Sequence, residues 1–427
     1  MKTHSKKRLF LGMASVGCEI GNTFAYHSNC MLLYLRIVLF LLPTFSFCQN
    51  FLSGNVVEKE SGTVIENANV FFSQTTMGTT TDERGYFSFK GVPKGKYELV
   101  ISHVGFAPFH LMVEMEDQSK EVLEIELVQQ VVELPSLTIQ ADTTDWHQNF
   151  LLFKYFFLGN TENARQCTIK NPKDIFLYFD VEEGILYGHA TKPILVENLA
   201  LGYQLTFLLE NFKADRKNKK ILIAGRPFFE ELLPNNPKML KVWKENRKKA
   251  YYGSFTHFIQ NLYSGELSLD EFEIFELVPV VNSKKFDPIF LEEKLNYWKG
   301  REKESITRNQ KKQCGDSLRY YEILKSNPDF EKGKSKRVVD VRALIVEDQL
   351  NYDGYLKVIF KGEKPEKAFL KLIQEKSKYQ VSIVHFNKGL KIYENGYVDD
   401  VHKVFLEGYL AWSGKIAELV PLEYFPN

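Results

Sequence analysis

The sequence lacks a charge excess and has few cysteines. Its 427 residues carry a formal net charge of +1, which argues against nucleic acid as a partner because nucleic-acid-binding surfaces are strongly basic. Three of the five cysteines fall in the first 48 residues, so Cys167 and Cys314 are the two that remain. Two cysteines exclude a disulfide framework and a zinc cluster. An oxidising compartment would permit one bridge between them, and the sequence leaves open whether they meet.

The common catalytic motifs are also missing. None of the nine histidines has glutamate three positions later and HExxH is absent, which argues against a zinc carboxypeptidase site. No serine has the flanking glycines of a nucleophile elbow, and Pro328 replaces the first glycine of a phosphate-binding loop that would end at residues 333–335. A thiol dyad at Cys167 is less favoured than a buried, apolar cysteine. We therefore predict no catalytic residues, no metal site and no cofactor.

An apolar segment near the N-terminus indicates export. The stretch "MLLYLRIVLFLLPTFSFCQN" has the layout of a secretory signal, with cleavage before Gln49. A membrane anchor is the alternative, but Arg36 and Pro43 interrupt the run, which is shorter than the ~20 apolar residues that span a bilayer. We expect residues 1–48 to form a signal peptide region, with translation beginning at Met31. A lipid on Cys48 is a further alternative, although the bulky residue before it disfavours one.

Short β-strand patterns follow the signal region. Apolar or aromatic runs such as "NANVFFSQ", "YFSFKG" and "KYELVISHVGF" recur about every 8 to 12 residues between turn-forming residues, as in a β-sandwich. The segments "SGNVVEKESGTVIENANVFF" and "GTTTDERGYFSFKGVPKGKYELVISHVGF" resemble the carboxypeptidase regulatory-like domain, which is a transthyretin-like β-sandwich. We assign this domain to residues 49–129. The resemblance implies an accompanying catalytic domain or outer-membrane transporter, and neither is evident here.

The turn "TTTDERGYFSF", residues 79–89, concentrates reactive groups without indicating an active site. Asp82 is suited to accept hydrogen bonds from the backbone ahead of it, and Gly85 to supply a positive φ. Alternation then places Phe87 and Phe89 in the core, with the residues between them pointing away. We predict a hairpin that connects two strands of the sandwich.

The larger part of the chain mixes strands and helices. We predict a linker at 130–149 and an α+β region at 150–427, so that the fold class is mainly β and α+β. The segment "NPKMLKVWKENRKKAYYGSFTHFIQNLYSG" has a helical pattern, which Gly253 could break. The charge-dense stretch near 284–337 predicts a solvated helical or loop insertion, and Asn395-Gly396 predicts a type I′ hairpin turn.

A second resemblance covers most of this α+β region. The segments "FLGNTENARQCTIKNP", "ENLALGYQL", "WKENRKKAYYGS" and "LVPLEYFP" resemble the uncharacterised C-terminal part that follows the regulatory-like domain in many exported proteins of Gram-negative bacteria. The resemblance supports the boundary between the two regions. It implies no activity.

One face of the predicted helix carries the candidate binding residues. A rotation of 100° per residue brings six of them onto one side, namely Trp243, Asn246, Arg247, Tyr251, Ser254 and His257. As a ligand site, this face would use the guanidinium for a carboxylate or phosphate and the aromatic rings for a sugar or peptide. The alternative is a buried, satisfied polar network that joins helix to sheet.

These patterns together predict an exported, envelope-associated protein without catalytic activity. We expect it in the periplasm or at the outer membrane, with no integral membrane span after signal cleavage. The expected partner is an envelope protein, peptide or glycan, and not a nucleic acid. The alternatives are a hydrolase that acts on envelope polymers through an unrecognised site in 150–427, and a structural adaptor.

Overall fold

The structure is a computed structural model that describes most of the chain after residue 49. The described ranges are 50–116, 119–130, 145–265, 271–281, 287–304, 307–325, 330–338, 342–346 and 349–426. The predicted signal region at 1–48 and most of the predicted linker, 131–144, lie outside them. Residues 49–427 form one compact unit.

A seven-stranded β-sandwich forms the N-terminal part of this unit. Its strands are β1 (Phe51–Glu58), β2 (Asn69–Phe72), β3 (Gly78–Thr80), β4 (Tyr86–Lys90), β5 (Gly95–Ser102), β6 (Phe109–Met115) and β7 (Lys120–Leu127). One sheet has the order β4-β1-β7 and the other β3-β2-β5-β6. Inward-facing side chains such as Leu52, Phe72 and Leu99 are fully buried between the two sheets, which confirms the predicted sandwich.

The turn at 79–89 has the predicted chemistry but a different role. The Asp82 carboxylate accepts two backbone N–H bonds of 2.9 Å, Gly85 has φ of +70°, and Phe87 and Phe89 are buried. The flanking strands β3 and β4 belong to opposite sheets. The turn therefore carries the chain across the sandwich and is not the hairpin that the sequence predicted.

A six-stranded antiparallel sheet forms the centre of the unit. Its strands are β8 (Cys167–Ile169), β9 (Ile175–Asp180), β10 (Ile185–Ala190), β11 (Ile194–Asn198), β12 (Tyr203–Asp215) and β13 (Lys220–Glu231). They run in the order β8-β11-β12-β10-β9, and β13 pairs with β12. Helix α1 (Trp146–Phe157) packs on the sheet through a stripe of stacked rings in which Phe153 and Phe157 meet Phe212 and Phe207. The stripe follows the helical period, which buries one face of α1.

A five-stranded sheet completes the fold. The strands of the C-terminal part are β14 (Phe272–Val281), β15 (Phe330–Arg337), β16 (Ile345–Val346), β17 (Gln349–Leu350), β18 (Gly354–Phe360), β19 (Gln380–Phe386), β20 (Leu390–Lys391) and β21 (Val404–Gly408). The order of the large sheet is β15-β14-β18-β19-β21, and β16, β17 and β20 form a small one. The remaining helices are α2 (Pro237–Tyr251), α3 (Phe255–Ser264), α4 (Pro288–Glu304), α5 (Arg308–Lys325), α6 (Lys367–Ile373) and α7 (Tyr409–Ser413). No helix within the described ranges is long and apolar enough to cross a bilayer.

Two predicted elements differ from those observed. The long helix breaks into α2 and α3 at Gly253, whose φ of +76° leaves the helical region, and Ser254 caps α3 by accepting a bond from the His257 N–H. The charged insertion contains the helices α4 and α5, but its end forms β15, paired with β14. Ladder bonds to β14 override the polar composition of that segment, because strand propensity depends on the partner strand.

The Asn395-Gly396 turn forms with a different geometry. Gly396 has φ of +83° and donates to the Tyr393 carbonyl at 2.8 Å, whereas Asn395, itself a described residue, does not have the positive φ of a type I′ turn. The Asn395 side chain instead is buried and donates to the Lys96 carbonyl of β5 at 2.8 Å. The turn therefore contacts the sandwich.

Main-chain bonds join the sandwich to the α+β region at the β2–β3 turn. The Gln74 N–H donates to the Pro227 carbonyl of β13 at 2.6 Å, and the Phe229 N–H donates to the Thr75 carbonyl at 3.0 Å. From the C-terminal segment, the Leu422 N–H donates to the Gln74 carbonyl at 2.8 Å. The turn is thus held on one side by the central sheet and on the other by the end of the chain.

Side chains extend this contact across the outer face of the sandwich. The Arg226 guanidinium donates to the Glu98 carboxylate at 2.8 Å and also to Glu210, and the Phe71 and Phe228 rings lie 5.1 Å apart. All five side chains lie on strands. Two of them belong to the sandwich, and the other three belong to the central sheet of the α+β region. The regulatory-like sandwich is therefore packed against the α+β region over part of one sheet.

We predict that the Glu423 carboxylate is needed for this docking. Its Oε1 accepts bonds from the Thr76 N–H at 2.5 Å and the Thr76 hydroxyl at 2.6 Å. Glu423→Ala should lower the free energy of unfolding by about 2 kcal/mol, since bonds to charged acceptors contribute about that much. Urea denaturation measures the loss, with the exposed Glu230→Ala as a control near wild type. Equal stability of the two variants would contradict the docking geometry.

Candidate ligand-binding site

The first three residues of the predicted site bind one loop of the central sheet. Residues 199–202 connect β11 to β12, and each of their four carbonyls accepts a bond from α2. Trp243 donates to the first carbonyl at 2.8 Å, Asn246 to the second at 2.9 Å, and Arg247 to the third and fourth at 2.7 and 3.1 Å. We name this segment the carbonyl loop. Its bonds occupy the indole and amide donors and two of the guanidinium nitrogens.

Arg247 has further partners inside the fold. Its Nη1 donates to the Glu231 carboxylate at 2.7 Å, and its guanidinium lies 3.8 Å from the centre of the Tyr203 ring. The side chain is buried, so the cation is stabilised by carbonyls, a carboxylate and an aromatic face instead of by water. Each of the three guanidinium nitrogens therefore already donates to a group of the protein.

The other three predicted residues form a second cluster at the start of α3. Tyr251 donates its hydroxyl to Gln260 at 2.6 Å, Ser254 accepts from the His257 N–H at 3.1 Å, and the His257 Nδ1 accepts from the Gly253 N–H at 3.1 Å. Burial raises the pKa of Tyr251 to about 12 and lowers the pKa of His257 to about 4. The imidazole is therefore neutral at pH 7.

The geometry favours the buried network over the ligand pocket. Trp243, Arg247, Tyr251 and His257 are all less than a tenth exposed, and the polar groups described above bond within the protein. The sequence placed the polar face inward. It could not show that the partners are backbone carbonyls some 40 residues earlier in the chain.

We predict that Gly202, in the carbonyl loop, tolerates no side chain. An added Cβ would lie 2.2 Å from the Trp243 ring. Gly62 is a matched control, because its φ of +69° is close to the +71° of Gly202 while its Cβ would meet nothing within 4 Å. Gly62→Ala should cost about 1–2 kcal/mol from the backbone alone, and Gly202→Ala about 1–3 kcal/mol more from overpacking. Urea denaturation measures both, and equal costs would contradict the Trp243 packing.

His257 should make the protein less stable in acid. An unfolded imidazole has a pKa of 6.5 and the folded one about 4, so its contribution is complete above pH 6.5 and is lost as the pH falls towards 4. Between pH 7.5 and pH 5 this loss amounts to roughly 2 kcal/mol. His257→Asn, which keeps an acceptor, should show a pH dependence of unfolding smaller by that amount, whereas the exposed His402→Asn should match wild type. A full pH dependence in His257→Asn would contradict the assignment.

Cys167 and Glu418 also have shifted pKa values and are shielded from solvent. Burial raises the pKa of Cys167 to about 12, and Glu418 contributes to the shift, so the thiol is a poor nucleophile. Cys167 forms no disulfide, and the bridge that the sequence left open is therefore not made. Burial also raises the pKa of Glu418 to about 7, while its Oε2 accepts from Asn163 at 2.8 Å and its Oε1 is buried without a partner.

Among the described residues, no group of three or more histidine, cysteine or acidic side chains is placed to hold a metal ion.

One open cleft of about 540 Å³ lies beside Glu366, with Arg165 and Lys371 in its wall. Burial raises the pKa of Glu366. Of the two clefts described here, this one has the charged groups that best fit the hydrolase alternative.

A second cleft has a different lining. It lies on the pair of helices α4 and α5, which pack against each other, and has a volume of about 500 Å³. Aromatic rings and polar or charged groups line it, namely Trp298, Asn309, Lys312, Gln313, Asp316, Ser317, Tyr320 and Tyr321. None of the six residues predicted from the sequence lies here. The spacing of the cleft-lining residues along α5 could have revealed the cleft. The high charge of this segment indicated a solvated insertion instead.

Comparisons with known proteins identify the first region. Residues 52–139 match the model of the CarboxypepD_reg-like domain, so the chain carries this domain. The match agrees with the resemblance seen in the sequence. A search of curated proteins finds no match.

Similar solved structures come from Bacillus and Bacteroides. The TIE protein of Bacillus anthracis is 13% identical, with 44% of this chain and 32% of that one covered and a TM-score of 0.17. A Bacteroides uniformis protein, provisionally described as carbohydrate binding, is 6% identical, with 43% and 79% covered and a TM-score of 0.17. A Bacteroides fragilis protein of unknown function, provisionally described as membrane-associated, is 12% identical, with 84% and 93% covered and a TM-score of 0.16. These low scores leave the function to be argued from the residues of this chain.

Proposed function

We propose that this chain is an exported protein of the bacterial envelope, without catalytic activity, that binds a protein, peptide or glycan. One contrast carries the proposal. Of the groups best suited to chemistry, His257 and Cys167 are buried and Glu418 has a buried carboxylate oxygen, whereas aromatic and polar side chains line an open cleft on α4 and α5. Catalytic groups must reach a substrate, and a binding surface needs only exposed, convergent contacts.

The docked sandwich supports a binding role for the α+β region. Part of the outer face of the regulatory-like domain is covered by β13, through Arg226 and Phe228, and by the turn at Asn395. That part of the face is therefore occupied within the chain. The domain serves as a fixed support, and the ligand is bound elsewhere.

Export is supported by the apolar segment before Gln49, and the periplasm or the outer membrane is the proposed location. A chain with a C-terminal tag, expressed in a Gram-negative bacterium, should appear in the envelope fraction with Gln49 as its first residue. N-terminal sequencing of the purified protein measures this. A variant without residues 32–47 should stay in the cytoplasm as a longer chain, and an uncleaved cytoplasmic wild type would overturn the proposal.

A co-sedimentation experiment with the same purified protein distinguishes binding from hydrolysis. Incubation with isolated envelope fragments should bring the protein down with them on centrifugation, without release of reducing sugars or peptides into the supernatant. Release of either product, abolished by Glu366→Gln, would instead support the hydrolase alternative.

A further inference from the structure

The cleft on α4 and α5 has aromatic rings at both of its walls. Trp298 stands on α4 and forms an edge-to-face pair with Tyr297 at 5.2 Å, while Tyr320 and Tyr321 form a second such pair on α5 at 5.3 Å. Tyr320 is 55% exposed. Exposed rings held in place by neighbouring rings offer flat, apolar faces at a low entropic cost on binding.

Polar groups lie in line with these rings along α5. Asn309, Gln313, Asp316 and Tyr320 follow each other at intervals of four, three and four residues, which keeps them within about 60° of arc over about 16 Å of helix. Within the described residues, the Asn309, Gln313 and Asp316 side chains make no hydrogen bond or ion pair. They differ in this from Asn246 and Arg247 of α2, whose side chains are bound to the carbonyl loop.

We propose that this cleft is a glycan-binding site, an inference that rests on the proposed binding function. The rings of Trp298 and Tyr320 pack against the C–H faces of sugar rings, and the amides of Asn309 and Gln313 donate to and accept from sugar hydroxyls. The Asp316 carboxylate accepts from further hydroxyls. The volume of about 500 Å³ lies within the range of small-molecule sites and is large enough for a short oligosaccharide.

A glycan fits this lining better than a polypeptide does. An extended peptide gains affinity by pairing its backbone with a strand edge, and the walls here are helices whose backbone groups bond internally. A helical peptide needs a continuous apolar groove for its anchors, whereas Asn309, Gln313 and Asp316 interrupt this one. Sugar rings present the matching alternation of apolar faces and hydroxyls.

Tyr320 and Tyr155 provide a matched pair for the test. Both are exposed tyrosines on helices, and each forms an edge-to-face pair with the next aromatic residue, but only Tyr320 lines the cleft. The mature chain is titrated calorimetrically with cellohexaose, with chitohexaose and with soluble oligosaccharides released from envelope glycans, and tryptic casein peptides form the polypeptide arm. We expect an oligosaccharide to bind wild type and Tyr155→Ala equally, and Tyr320→Ala and Gln313→Ala at least tenfold more weakly.

The outcomes separate the site from the function. Oligosaccharide binding that is unchanged in Tyr320→Ala, Trp298→Ala and Gln313→Ala overturns the cleft while the binding function stands. Peptide binding that is lost in Tyr320→Ala overturns the choice of glycan. The absence of binding in every arm, together with no sedimentation with envelope fragments, overturns both. Circular dichroism of each variant confirms that it is folded before its affinity is compared.

Discussion

The carbonyl loop at 199–202 is the constraint on which the other packing contacts depend. Its backbone leaves the sheet between β11 and β12, and unpaired buried carbonyls cost free energy. The side chains of α2 bind all four carbonyls, while the fully buried Asn198 accepts from the Ala200 and Leu201 N–H groups and donates to the Ala417 carbonyl. The loop thus fixes α2 on one side and the C-terminal segment on the other.

The C-terminal segment carries this constraint to the sandwich. Ala417 is held by Asn198, and a few residues later Leu422 and Glu423 bind the β2–β3 turn at Gln74 and Thr76. The sandwich is therefore attached through main-chain and charge-assisted bonds, which have stricter geometry than apolar contacts alone. Rigid attachment of this kind is consistent with a support for a binding surface, because a scaffold that holds its site in place lowers the entropic cost of binding.

Local chemistry could be predicted from the sequence, and long-range pairing could not. Gly85 and Asp82 act within their own turn, and the alternation of Phe87 and Phe89 needs only the strand period, so these features follow from nearby residues. The inward polar face of α2 was also predicted, but its partners lie about 40 residues away. β15 was missed because its segment "FEKGKSKR" is rich in lysine, a residue that protects edge strands from pairing with other chains and also marks solvated loops.

The proposed separation of support and site would explain why the family match is silent on function. The match ends at residue 139, and its positions define a sandwich core in which Leu52 and Phe72 are fully buried. Packing determines such positions, so similarity across them reports the fold and not the ligand. The cleft at Trp298 lies on α4 and α5, between the paired strands β14 and β15 in the chain. An insertion at that place can change its surface residues while the paired strands β14 and β15 keep their ladder, so the surface proposed for recognition can vary without disturbing the sheet.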